Sequence, residues 1–307
     1  MSRTDTLKRV ENLTDMVWAN AERFGDAVSL RTRDEDAWED VTARTFAGTV
    51  MNAAKWLIAA GARPGDRIAL PPTASHLWPV GEFAAWSVGC STSIAGDERL
   101  ELPVDLGPGA EIPDEQVHAR RLEVGPADVA TLRDGVPVTH GEMLAEVRAT
   151  IADYPLLLAP GNAMLIHLPP TRWFARIMSL ACFYTRTTVG HSAKVSDVGT
   201  FRPTTVITEP GLLEVVYAAA RMRAQAEDRG RLFQAATSVA VDYSAAKTRG
   251  GPGPALRGKH LVASKFVYPK LRAALGGRCT AVISVGEPVD ERLEHFFSGI
   301  GIPVHSA

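Results

Sequence analysis

Short apolar runs alternate with longer stretches of helical apolar period along most of this chain, and that alternation limits the fold more than any other feature. Ile68-Ala69-Leu70 leads into a helical stretch over 77–88 and then a second short run at 91–94. The order returns at 163–168, 174–184 and 187–190, again at 205–208 and 212–226, and again at 281–285, 290–297 and 302–305. Strands joined by helical crossovers run parallel, with the helices laid over the sheet faces. The pattern therefore predicts an α/β protein of mainly parallel sheets flanked by helices. Ahead of it the spacing predicts a helix over 13–24 and two short strands at 28–30 and 38–41, joined by the charged turn Asp34-Glu35-Asp36. A long helix over 43–60 follows, capped by Thr42 and stopped by Gly61.

Composition excludes several classes. The 307 residues are enough for one or two domains with a sizeable core. Lys and Arg number 33 against 35 Asp and Glu, so bulk charge does not hold this chain to nucleic acid or to an anionic membrane. Cys90, Cys182 and Cys279 are far apart and odd in number, which predicts reduced, buried thiols and no disulfide or metal framework. The start, Ser2-Arg3-Thr4-Asp5, is polar and lacks a signal-peptide core. No apolar run reaches the roughly 20 residues of a membrane span, so a cytoplasmic protein is expected.

Three stretches break the regular alternation. Residues 96–125 are rich in Pro, Gly and acid, and read as a surface loop or a shortened region. Gly250-Gly251-Pro252-Gly253-Pro254 separates predicted helices at 232–247 and 265–275. Between 128 and 146 a strand-like run, Val129 to Leu132, meets Arg133-Asp134-Gly135, and a second run, Val136 to Thr139, enters a helix over 141–153. Asp-Gly between two β-prone runs is a strong signal for a two-residue hairpin turn.

Several stretches, in this order and spacing, resemble the N-terminal domain of the AMP-forming acyl-CoA synthetases of the adenylate-forming superfamily. They are F-G-D-A-V-S-L at 24–30, G-A-R-P-G-D-R-I-A-L at 61–70, L-P-P-T-R-W-F-A-R at 168–176, G-T-F-R-P-T at 199–204, K-L-R-A-A-L-G-G-R-C at 270–279 and S-V-G-E-P at 284–288. Among that superfamily the chain is most similar to bacterial long-chain fatty acyl-CoA ligases. The resemblance implies the N-terminal-domain part of that fold, truncated. A first, shortened α/β subdomain is expected over 1–127 and a second over 128–307, without the C-terminal catalytic domain.

In that family ATP and a carboxylic acid give an acyl-adenylate, and the thiol of CoA then displaces AMP. The family's Gly/Ser/Thr-rich phosphate loop would fall between Leu132 and Val136, where this chain has only Arg133-Asp134-Gly135. Thr139-His140 matches the pair that follows the loop, so both are placed at its lost flank, with His140 read as a helix-start residue and not a base. The region over 96–108 is also shorter than its family counterpart. The family continues past residue 307 with a Mg²⁺-binding Glu and a mobile domain carrying a catalytic Lys, so no Mg²⁺ site and no catalytic residue are expected here. The family's His in L-P-x-x-H-x-F is Arg172, and the Arg of its P-R-x-F-E segment is Gly211.

The retained Gly286-Glu287-Pro288 lines adenine in short-chain relatives, or serves only as a strand-to-helix turn. Arg172, Trp173 and Phe174 border the expected acyl pocket, though with Met178 and Phe183 the aromatics also fit a plain core. Arg176 and Lys194 read as solvated. AMP or ATP is expected to bind weakly at most. The combined reading is a degenerate synthetase-like protein that binds or regulates, as a homodimer or with a full-length synthetase and with a fatty acyl group as candidate ligand. The alternatives are a split or active fatty acyl-CoA ligase completed by a partner, and a sensor of adenine nucleotide or acyl-CoA.

Overall fold

The structure is a computed structural model describing residues 12–34, 37–70, 75–94, 100–101 and 111–307. In chain order its elements are α1 (Asp15–Phe24), β1 (Val28–Asp34), β2 (Ala37–Thr42), α2 (Ala43–Ala59), β3 (Arg67–Leu70), α3 (Leu77–Ser87), β4 (Ser91–Ile94), β5 (Leu100–Glu101), α4 (Asp114–Glu123), β6 (Val129–Arg133), β7 (Val136–Thr139) and α5 (His140–Asp153). Then follow β8 (Ala163–Ile166), α6 (Trp173–Thr185), β9 (Thr188–His191), α7 (Ser196–Phe201), β10 (Thr205–Thr208), α8 (Pro210–Ala226), α9 (Gly230–Thr248), α10 (Pro254–Phe266), α11 (Tyr268–Ala273), β11 (Ala281–Ser284), α12 (Glu291–Gly299) and β12 (Val304–Ser306). The mostly parallel α/β architecture is the one the alternation predicts.

Two compact units divide the chain. The first is Met1–Gly161 with Pro169–His191, and the second is Asn162–Leu168 with Ser192–Ala307. The 127/128 position falls inside the first unit, because β6 pairs with β4 through Thr92 and Thr131 and cannot leave that sheet.

In the first unit, five strands run in the order β5-β3-β4-β6-β7. β3 is parallel to β4 and β5, β4 is parallel to β6, and β7 turns back antiparallel on β6. Separately, β1 pairs parallel with β9 and antiparallel with β2. Apolar faces of α2, α3 and α6 meet in an aromatic cluster. Phe46 stacks on Phe183 at 4.7 Å, and Phe83 sets its edge against both and against Trp86. Burying each such side chain stabilises the unit by about 1.5–3 kcal/mol.

In the second unit, β8, β10, β11 and β12 are parallel neighbours in that order. Their burial is complete along β8, β10 and β11, the mark of strands covered on both faces. α9 and α12 approach so closely that a Cβ on Gly299 would stand 2.1 Å from the Ala240 carbonyl oxygen, so only glycine fits there.

Two helices depart from the expected pattern. α4 lies inside the Pro/Gly/acid-rich stretch, where Val117 is its one buried residue, so it carries almost no apolar period to read. α10 begins where a break was expected, because Pro254 sits at its first turn, the one helical position that needs no N–H. The expected helix over 265–275 is split at Val267, just ahead of Pro269. Asp34 ends β1, while Glu35, Asp36 and most of 96–110 lie outside the described residues, as do Ser2 to Asp5. Cys90, Cys182 and Cys279 are buried free thiols, and burial pushes Cys90 and Cys279 each up to about 12.

Candidate functional site

Where the family's phosphate loop would fall, β6 and β7 are joined by the two-residue turn that Asp-Gly predicts. Arg133 and Val136 face each other across the ladder, and Asp134 (φ 51) and Gly135 (φ 81) both adopt the left-handed backbone that such a turn requires. The turn itself contributes two backbone amides, those of Asp134 and Gly135. The turn carries no hydroxyl, and its cation is already engaged. Arg133 lies 4.8 Å over the Trp173 ring and 3.6 Å from Glu146. Glu146 in turn accepts a hydrogen bond from the Trp173 indole N–H. The turn, α5 and the start of α6 are thereby tied together.

Both flanking residues serve the helix that follows. Thr139 caps α5 through a full capping box. Its hydroxyl accepts from the Glu142 amide, and its own amide donates to the Glu142 carboxylate at 2.8 Å. These bonds hold the Glu142 carboxyl below its usual range. His140 is 1% exposed, with its ring edge-on to Trp86 and its amide donating to the Asp128 carbonyl. Burial lowers its pKa to about 4, against the opposing pull of Asp128 and Asp15, so it is a neutral imidazole at pH 7. Its Nδ1 has no hydrogen-bond partner among the described residues.

Arg172 is exposed at the N-cap of α6, and its amide donates to the Pro169 carbonyl. Trp173 and Phe174 are half-buried. Trp173 carries Arg133 on its ring, and Phe174 meets Tyr154 edge-on. Met178 and Phe183 lie in the core.

Arg176 is not solvated. It is 3% exposed and forms an ion pair with Glu82, which is fully buried. Its Nη1 donates to Thr131 Oγ1 at 2.8 Å and its Nη2 to Thr92 Oγ1 at 2.7 Å. Thr131 passes a bond to the Thr92 carbonyl, while Thr92 and Trp86 both donate to the Ala130 carbonyl. Burial raises the Glu82 carboxyl, and Arg176 opposes that rise. This network sits under the strand that enters the turn, and sequence spacing could not show it because Glu82 and Arg176 are 94 residues apart.

In the second unit the parallel register brings the ends of four strands to one edge. Ile166, Ile207 and Ile283 align, Thr208 aligns with Ser284, and Ser284 with Ser306. Ligands of open parallel sheets bind at this edge. Gly286 (φ 102), Glu287 and Pro288 follow β11 there, all exposed, before Asp290 caps α12. The residue that sequence reasoning passed over is His167, directly after β8. Its amide donates to Ile207, burial lowers its pKa, and its Nδ1 has no partner among the described residues. Its place after an all-apolar strand was the available signal. Ser284 Oγ on the same edge is likewise buried and without a partner among the described residues.

These features define the fold of the N-terminal domain of acyl-CoA synthetases. Among solved structures the chain superposes with a TM-score of 0.60 on the fatty acid AMP ligase of Legionella pneumophila, at 13% identity over 96% of this chain and 53% of that one. It superposes at 0.62 on a long-chain-fatty-acid-CoA ligase (FadD1) of Archaeoglobus fulgidus, at 12% identity over 94% of this chain and 60% of that one. In sequence the chain is similar to the long-chain-fatty-acid–CoA ligase FadD15 of Mycobacterium tuberculosis, at 29% identity over 98% of this chain, and matches its counterpart in Mycobacterium bovis equally. It spans 60% of the length of those relatives. The match extends over 362 positions, 55 more than the 307 residues of this chain, so the relative carries residues between matched stretches that are missing here. No protein-family profile matches the chain.

Proposed function

We propose that this chain is a degenerate long-chain acyl-CoA synthetase-like protein that does not catalyse adenylation and acts as a binding or interaction module in fatty-acid metabolism. The two-residue turn at Asp134-Gly135 carries this reading. Holding a transferring phosphate needs convergent N–H groups, hydroxyls and a free cation. Here the strands close directly, Arg133 is committed to Glu146 and Trp173, and Thr139 is committed to Glu142. Loss of one such donor alone costs about 10²–10³ in rate. The internal positions missing relative to that ligase, at least 55 of them, support the same reading. Exchange of pyrophosphate into ATP, driven by long-chain fatty acids, tests it.

Any adenine nucleotide would sit at the Gly286-Glu287-Pro288 turn and be held weakly, since base contacts without phosphate contacts give little affinity. The chain is further proposed to work in the cytoplasm as a homodimer or bound to a full-length synthetase. Leu122 and Leu156 are 73% and 83% exposed, which supports a covering partner. The edge strand β7 is a poor candidate for that contact because Pro137 lacks an N–H to offer. Light scattering behind a sizing column should give a mass above the 33.0 kDa monomer at micromolar concentration; a clean monomer alone counts against self-association. No helix among the described residues is long and apolar enough to cross a membrane.

A further inference from the structure

α10 turns its large apolar side chains to solvent. Ala263 is its one buried residue, while Leu261 and Phe266 are 72% and 65% exposed and Val262 is exposed between them. With α8, the start of α9 and α11, the end of α10 encloses an open groove of about 710 Å³. Phe266 and the exposed Leu232 both line it. Contiguous apolar surface of this kind marks a site of interaction with another molecule.

The surroundings are cationic. From 243 to 286 the chain carries eight Lys and Arg and no Asp or Glu, although its total charge is -2. No carboxylate of the described residues forms an ion pair with Lys259, Lys265 or Lys270. On the α8 side, Arg223 and Arg229 share the single carboxylate of Glu227 at 3.3 and 3.2 Å. A protein surface that complements this groove presents an apolar ridge flanked by carboxylates.

α4, in the first unit, has that form. Val117 is its one buried residue, and both of its arginines bond within their own unit. Arg120 donates to the Ala62 carbonyl at 2.8 Å, and Arg121 to the Asp15 carboxylate at 3.1 Å. Glu115, Ala119, Leu122 and Glu123 are left exposed. Their spacing puts them on one face of the helix, the anchor pattern of a helix that lies in a groove. Neither Glu115 nor Glu123 forms an ion pair among the described residues. Leu122 and Phe266 are both bare in the single chain.

We propose that α4 of one copy docks on the α10 groove of a second copy, with Leu122 against Phe266 and Leu232, and Glu115 and Glu123 facing the cations that include Lys265 and Lys270. The contact rests on the reading of this chain as self-associating, and it names the two surfaces that meet. It is heterologous, since the two patches differ, and it is independent of whether the chain adenylates.

Analytical ultracentrifugation of the full chain at micromolar concentration tests the contact. The parent should self-associate, and raising NaCl from about 0.05 M to about 0.5 M should weaken that association about tenfold. Two charge-reversed chains, one with Glu115→Lys and Glu123→Lys and the other with Lys265→Glu and Lys270→Glu, should each sediment as monomers, because like charges then face each other. Mixed in equal amounts they should form a heterodimer, since the basic groove of one meets the acidic α4 of the other. Circular dichroism confirms that both variants fold. Self-association that persists in both reversed chains, or a mixture that stays monomeric, would overturn this contact while leaving the homodimer standing. A parent that stays monomeric would overturn both. Monomeric parent that pellets with phosphatidylglycerol vesicles, and no longer does so with Lys265→Glu and Lys270→Glu, would assign the groove to a lipid surface and overturn the contact as well.

Discussion

Arg176 Nη1 donates to Thr131 Oγ1 at 2.8 Å, three residues before the turn that closes β6 onto β7. The guanidinium belongs to α6, its counter-ion Glu82 to α3, and its second hydroxyl acceptor, Thr92, to β4. One buried cation thus fixes two strands and two helices beneath the turn, and the turn's own cation, Arg133, rests on the neighbouring residue of the same helix, Trp173.

Removing one member of this pair should be costly. Arg176→Met leaves the Glu82 carboxylate buried without a counter-ion, and a loss of about 3–5 kcal/mol is expected from urea unfolding. Replacing both, as Glu82→Leu with Arg176→Met, should recover much of that loss, because no uncompensated charge remains. A single Arg176→Met variant as stable as the parent would show that the pair is not what holds β4 and β6.

The turn and the cap should fail by amounts their geometry sets. Gly135 has φ 81, so Gly135→Val forces a branched side chain into the left-handed region and should cost about 1–3 kcal/mol. Thr139→Ala removes the capping hydroxyl of α5 and should cost about 0.5–2 kcal/mol. Under the proposed function neither change should alter the thermal shift produced by AMP. Loss of an AMP response in Thr139→Ala would return that residue to a nucleotide site.

The hairpin was legible because Asp134-Gly135 sits between two β-prone runs, and the sheet order because short apolar runs alternate with helices. Arg176 was not, since a charged residue in a helical run is solvated by default and Glu82 is 94 residues away. α4 was hidden by having only Val117 to bury, and α10 by a proline that starts the helix it seemed to interrupt.

Buried histidine should make stability fall with acid. His140 titrates at about 4 in the folded chain and near 6.5 unfolded, so the unfolded state binds more protons between those values. The contribution is fully present above pH 6.5 and is lost as pH falls through about 4, with a size of roughly 3 kcal/mol. His191, also lowered to about 4 by burial, adds in the same sense, whereas the raised Glu82 carboxyl works against both. The comparison that isolates His140 is therefore the melting of the parent and of His140→Leu from pH 4 to 7. The variant should show the shallower decline toward acid, and parallel curves would remove His140 from the account.

Adenine binding, if the retained turn supports it, should be a property of the second unit. AMP at millimolar concentration should raise the melting temperature slightly, and Glu287→Ala should remove that rise without lowering the melting point of the free protein, because Glu287 is exposed. A rise that survives Glu287→Ala would place the nucleotide elsewhere.

The most direct test is isotope exchange between pyrophosphate and ATP, with Mg²⁺ and a series of fatty acids from eight to eighteen carbons, by the purified chain. Adenylation without a phosphate-holding loop should not occur, so exchange should stay at the level of a protein-free blank for every acid. Exchange that is saturable in fatty acid and abolished by boiling the protein would contradict the central claim and make the two-residue turn compatible with catalysis.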